Sequence, residues 1–247
     1  SSAALAAGPG EEVRSLDDGT LAFSYPAREG VRGNHERIEF ILEGEENDSR
    51  YVNGRWDDHD EVWAGDIHAM MTVRSGRVRD IELTVLRPGD ERPRADRDLG
   101  GMSASDAASY FLDLAGHAGD DVADEALLGL VVARDVDPAA DLIALVRDRD
   151  RPGEVRESSL FWLAVLAGEE AAPTMTDLID DETEDLELRE HAVFALTQLD
   201  EDRAFPLLMD LARNHGNHEL RRSAFIWLAQ YDRPDVVNLF EEILVAN

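Results

Sequence analysis

The chain contains no cysteine. That excludes disulfides, thiolate metal sites and cysteine nucleophiles together. It contains no lysine either: all 24 basic side chains are arginine. No stretch approaches the roughly 18 apolar residues of a membrane-spanning helix. Catalytic signatures are also missing. There is no G-x-S-x-G, no H-E-x-x-H and no phosphate-binding glycine loop. The residues therefore nominate no catalytic group, no cofactor-binding residue and no metal ligand, and a non-enzymatic protein is expected.

What is present is acid. The 247 residues carry 54 Asp and Glu against 24 Arg, a formal net charge of −30. Such a surface repels phosphate backbones and anionic bilayers, so nucleic acid is not an expected partner. A protein partner with a basic patch is. Residues 103–247 hold 32 of the acids and only 11 of the arginines, so most of the field resides there. Hydrophobic residues make up 43%, enough for a globular core in one large domain or two modest ones. The opening "SSAALAAGPG", with Ala4-Leu5-Ala6, resembles the region around a signal-peptidase site, so a processed, extracytoplasmic protein is expected.

Two hydrophobic periods divide the chain. Up to about residue 90 the apolar residues alternate, as in "TLAFSY" (20–25) and "RIEFIL" (37–42), which predicts half-buried strands. "IHAMMTVR" and "RVRDIELTVLR" flank Ser75-Gly76, the pattern of a tight hairpin over 67–86. A polar loop is expected at 43–61. The expected architecture is α+β with two domains. A flexible segment (1–15) leads into a small antiparallel β-sandwich-like domain (16–90) of about four to six strands. The Pro/Gly/charge stretch 91–102 reads as a linker. From 103 to 247 the period is helical, with Ser103 or Ser105 placed to cap a first helix whose face is Ala107, Tyr110, Phe111 and Leu114.

The helical part repeats. Arg156, Arg189 and Arg221 lie 33 and 32 residues apart. Three residues after each comes a small side chain (Ser159, Ala192, Ala224), and seven after each a leucine (Leu163, Leu196, Leu228). One step earlier the same frame meets Ala126 and Leu130, without the arginine. A second apolar pair keeps phase nineteen and twenty-two residues after the frame: Leu142/Leu145, Met175/Leu178, Leu208/Leu211, Phe240/Ile243. Pro173 and Pro206 share one position, expected near the first turn of the second helix. A helix pair of this size buries its apolar face only by stacking on neighbours, which predicts an α-solenoid of about four units.

The stretch "DLELREHAVFALTQLDEDRAFPLLMDLARNH" (185–215) resembles a HEAT-like repeat of the short, bilin-lyase type. The likeness covers about 120–247. A β domain ahead of such repeats is similar to exported HEAT-repeat proteins of GC-rich bacteria, and the exclusive use of arginine fits such a source. The resemblance implies a solenoid that binds proteins; it carries no lyase activity onto these residues.

Within that solenoid, Trp162 and Trp227 share one frame position, with Gln198 and Gln230 three residues further along the frame. An apolar stripe of about 100° suffices for packing, so some of these side chains are expected to reach the surface. Phe240 and Leu244 belong to the last second helix, where only Val245-Ala246-Asn247 follow, and are expected to form an open end covered by another chain. Trp162, Trp227, Gln198, Gln230, Phe240 and Leu244 are therefore the expected partner-binding residues. His215-x-x-His218, the acidic "WDDHDEVW" (56–63) and "DDETEDLE" (180–187) read as polar turns, and His191 as a surface side chain. The expected role is a protein–protein interaction scaffold. Alternatives are an extrinsic subunit of a larger membrane-bound respiratory or photosynthetic complex, peripherally attached, and a lyase-like enzyme or ligand binder with its site at the domain junction.

Overall fold

The structure is a computed structural model that describes residues 8–34, 38–42, 49–53, 61–87 and 89–246. The chain divides into two compact units, Ser1–Pro138 and Ala139–Asn247.

The N-terminal unit begins with a short helix, α1 (Pro9–Ser15), and strand β1 (Asp18–Tyr25). Strands β2 (Val31–Gly33), β3 (Ile38–Leu42) and β4 (Ser49–Asn53) follow, then β5 (Ile67–Arg74), β6 (Arg77–Val85) and β7 (Arg97–Gly101). Helices α2 (Ala104–Ala115) and α3 (Asp120–Val131) close the unit. One sheet has the order β6-β5-β1-β7 and the other β2-β3-β4. The expected hairpin is β5–β6. Ser75 and Gly76 both have positive φ, 50° and 68°, the backbone that matches the twist of paired strands. The Ser75 N–H donates to Asp18 Oδ1 at 2.9 Å, which helps hold a serine in that region.

Alternation along β1 puts Leu21, Phe23 and Tyr25 on one face, all buried. Helix α2 covers that face with Phe111, its N-terminus capped by Ser103 Oγ, which accepts the Asp106 N–H. Phe23, Tyr25, Tyr110 and Phe111 pack tilted or edge-on, with ring centroids 5.6–6.1 Å apart. The Tyr25 hydroxyl donates to the Gly129 carbonyl of α3 at 2.9 Å, and burial drives its pKa well above the ordinary value. Only glycine fits at 129. A Cβ there would lie 2.8 Å from the Phe111 ring.

Four expectations are corrected here. The segment 91–102 is no free linker: it contains β7, which pairs parallel to β1, and Asp96 accepts hydrogen bonds from both the N–H and the hydroxyl of Thr20. Among the described residues the β region has seven strands and one parallel pair rather than about four to six antiparallel strands. The polar stretch 43–61 includes β4; of the acidic cluster in it, residues 57–60 and His59 lie outside the described residues. Helices α2 and α3, expected to open the solenoid, belong to the unit with the strands. Phe111 and Gly129 fit that sheet face, and α3 packs on β6.

The opposite sheet face carries an unusual group. His68 stands between Ser24 and Thr84 in register, 1% exposed, with neither ring nitrogen hydrogen-bonded. Nearby, Arg92 reaches Ser24 Oγ and pairs with Asp98. Burial lowers the His68 pKa. Asp98 opposes the shift and Arg92 adds to it.

In the C-terminal unit every element is helical: α4 (Ala139–Arg147), α5 (Gly153–Ala167), α6 (Ala172–Asp180), α7 (Leu186–Ala195), α8 (Glu201–Asn214), α9 (His218–Leu228) and α10 (Pro234–Ala246). The first helices α5, α7 and α9 pack side by side, and α4, α6 and α8 each pack on the first helix that follows. The repeat frame is the core. Ser159, Ala192 and Ala224 are fully buried, as are Leu163, Leu196 and Leu228. Small residues at the first position let the helices approach closely, and each leucine buried contributes about 1.5–3 kcal/mol. Pro173 lies in the first turn of α6 as expected, but Pro206 lies inside α8, because that helix starts one turn earlier at Glu201.

Two of the three frame arginines are buried too. Arg156 and Arg189 are each 5% exposed, and each Nε donates to the carbonyl ten residues back, Val146 at 2.7 Å and Ile179 at 2.9 Å. Those carbonyls sit in the last turns of α4 and α6, where helices leave acceptors unfilled and a cation is favoured. Arg156 Nη2 also meets Glu184 Oε2 at 2.9 Å, and Glu184 Oε1 takes Arg149 Nε at 2.8 Å. This corrects the reading of 180–187 as a merely solvated turn. The Glu184 side chain is buried where it reaches Arg156 of α5, across the intervening helix α6 in sequence.

Three outcomes are expected. Gly129→Ala lowers stability by about 1–3 kcal/mol, measured by urea denaturation, since the Phe111 ring has nowhere to go. Glu184→Ala costs about 3–5 kcal/mol in the helical unit, followed by circular dichroism, because Arg156 stays buried without its counter-ion. The third concerns pH. The unfolded chain takes up a proton at His68 near pH 6.5 while the folded form resists it. Stability falls as pH drops from about 6.5 toward the lower folded value, and His68→Leu removes that part of the acid sensitivity.

Candidate protein-docking surface

The surface of the helical unit is acidic: residues 139–247 contain 24 Asp and Glu and 10 Arg. Three of those arginines, 156, 189 and 221, are turned inward or onto backbone carbonyls. The field outside is thus more negative than the composition alone conveys.

Across the first helices runs a row of rings. Phe161 of α5 and Phe194 of α7 stack with planes 5° apart and centroids at 6.3 Å. Phe194 then meets Trp227 of α9 at 4.8 Å. All three are half-buried, so each presents an edge or face to solvent. Ile226 next to Trp227 is 55% exposed. At the near end Glu157 of α5 and His191 of α7 approach to 3.2 Å, one turn ahead of Phe161 and Phe194. Burial raises the Glu157 pKa, the neighbouring His191 pulls it down and Glu187 adds to the rise.

Trp162 does not reach this surface. It is 4% exposed and packs edge-on against Phe161 at 5.2 Å, so its expected role in partner binding is replaced by one in the core. Trp227, at the same frame position, does reach it. Helix α7 packs between α5 and α9, whereas α9 has α7 as its neighbour among the first helices described. Gln198 is half-buried in the 3-10 turn after α7 and donates to Thr197 Oγ1 at 3.0 Å; Gln230 is exposed just past α9. Phe240 and Leu244 lie in α10, and their side chains are outside the described residues.

Phe161 and Phe194 were missed as surface residues. Their signal was present: two phenylalanines at one frame position, adjacent to a position that the core already fills. An apolar ribbon bordered by carboxylates suits a partner that brings aliphatic or arginine side chains. Guanidinium groups stack on ring faces, and Trp is a frequent interface anchor.

The histidines do not gather. His215 Nδ1 accepts the Asn217 N–H, and its Nε2 lies 3.6 Å from Asp180; His218 is near only its neighbour Glu219. His191 is 42% exposed at its side chain, on the surface as read. Among the described residues no group of three or more His, Asp and Glu is placed to hold a metal ion. Nor is any described helix long and apolar enough to cross a membrane.

Stacked helix pairs with one buried frame define an α-solenoid. Residues 139–224 and 182–247 match the family model of HEAT repeats, so this unit is a HEAT-like repeat array. No curated protein and no solved structure matches the chain.

Proposed function

We propose that the protein is a non-enzymatic scaffold that docks a protein partner bearing a basic patch. HEAT repeats are in general non-catalytic scaffolds for protein interaction, which supports the coarse reading. The observation that carries the finer one is the half-exposed row Phe161–Phe194–Trp227 on an acidic unit. Rings in such a row lose little side-chain freedom on binding, and surrounding carboxylates steer a cationic partner to them. In this reading Trp227 is the anchor and Gln230 a polar contact at the rim. An extracytoplasmic place of action belongs to the same proposal and rests on the small-residue stretch at the start of the sequence.

Crosslinking and co-purification from the native source test the proposal at two ionic strengths. Expected is a basic partner whose retention falls as salt screens the rim charges. Trp227→Ala is expected to weaken its binding at least tenfold, while Gln198→Ala changes it little. Recovery of the monomer alone at low ionic strength would overturn the proposal.

A further inference from the structure

The repeat carries one broken rung. In the intact rung, Arg156 spends its Nε on the Val146 carbonyl and its Nη2 on Glu184. Glu184 stands five residues before the next frame arginine, Arg189. The following rung begins alike: Arg189 is equally buried and its Nε takes the Ile179 carbonyl. Five residues before Arg221, however, stands Gly216. Where a carboxylate meets Arg156, the corresponding place has no side chain at all. Among the described residues Arg189 makes no further hydrogen bond and no ion pair. Asp181, close enough for Arg189 to help hold its carboxyl low, is turned instead to Thr183 and Arg149.

Arg189 lines a cavity of about 630 Å³ within the helical unit, together with Thr176, Asn214, His215, Gly216 and Asn217. A guanidinium has five N–H donors, and those left over after one carbonyl bond can take an anion. The intact rung shows which anion fits: a planar carboxylate, taken at 2.9 Å. The cavity wall also contains Asp180, Glu182 and Asp210. These repel a bare anion and attract a cation.

We propose that the cavity binds a small α-amino acid zwitterion. Its carboxylate occupies the place on Arg189 that Glu184 occupies on Arg156. Its ammonium group faces Asp180 and Asp210. The site is separate from the aromatic row, and the inference does not depend on the docking function.

The test uses the full chain, calorimetric titration and four probes: L-alanine, L-arginine, acetate and ethylamine. Saturable binding of an amino acid is expected, with acetate and ethylamine at least tenfold weaker. Gly216→Glu supplies the missing carboxylate within the chain. The position has open space around a Cβ and no left-handed backbone, so the side chain is accommodated. This variant is expected to lose amino-acid binding and to melt at a higher temperature without ligand. Gly216→Ala, which adds no carboxylate, should bind within about twofold of the parent. Absence of saturable binding up to about 10 mM, a very weak affinity, overturns the proposal. So does undiminished binding by Gly216→Glu, or acetate binding as tightly as the amino acids.

Discussion

The helical unit depends on an arginine that closes the end of the helix before it. A second helix that stops against its neighbours leaves carbonyls at its C-terminus without partners. Arg156 and Arg189 reach ten residues back and fill them, at Val146 and Ile179. One side chain thereby ties a second helix to the first helix that follows, and the tie recurs at Arg156 and Arg189. The leucine seven residues on is then delivered to the core each time. Burying a guanidinium has a cost, and Glu184 offsets it for Arg156 from the next unit, so that these two units are tied by charge as well as by packing.

That arrangement bears on how so acidic a chain holds together. Most of its arginines lie at the surface, but they are too few to neutralise it. Two, Arg156 and Arg189, are drawn inside, against backbone carbonyls and, for Arg156, the Glu184 carboxylate. The outer face is left with an excess of negative charge, broken by an apolar row in which Phe161, Phe194 and Trp227 stack across three helices. In the proposed docking role such an acidic face favours a cationic partner over an anionic one.

Much of this was legible in the sequence because it is periodic. The hairpin at Ser75-Gly76, the cap at Ser103 and the buried residues of the frame each follow from local spacing, and each is where the spacing puts it. The pairing of β7 with β1 was not legible, since "RDLGG" has neither alternation nor β-branched side chains. The place of α2 and α3 was not legible either. Their amphipathic pattern fits a sheet as well as another helix, and only the fit of Phe111 to Gly129 and Tyr25 decides it. Trp162 and Trp227 share one frame position, yet Trp162 is buried and Trp227 is half-exposed beside Phe194.

The sequence by itself determined the repeat: its length, its phase and the arginine that marks each unit. Those are properties of residues a fixed distance apart along the chain, and helical geometry turns that distance directly into a shared face. The tertiary structure alone decided which charges are buried and which rings are surface. Such outcomes depend on contacts between different helices. The carboxylate of Glu184 and the bare Gly216 look like two unremarkable turn residues until the fold sets one beside Arg156 and leaves the other beside an arginine with no acid to meet it.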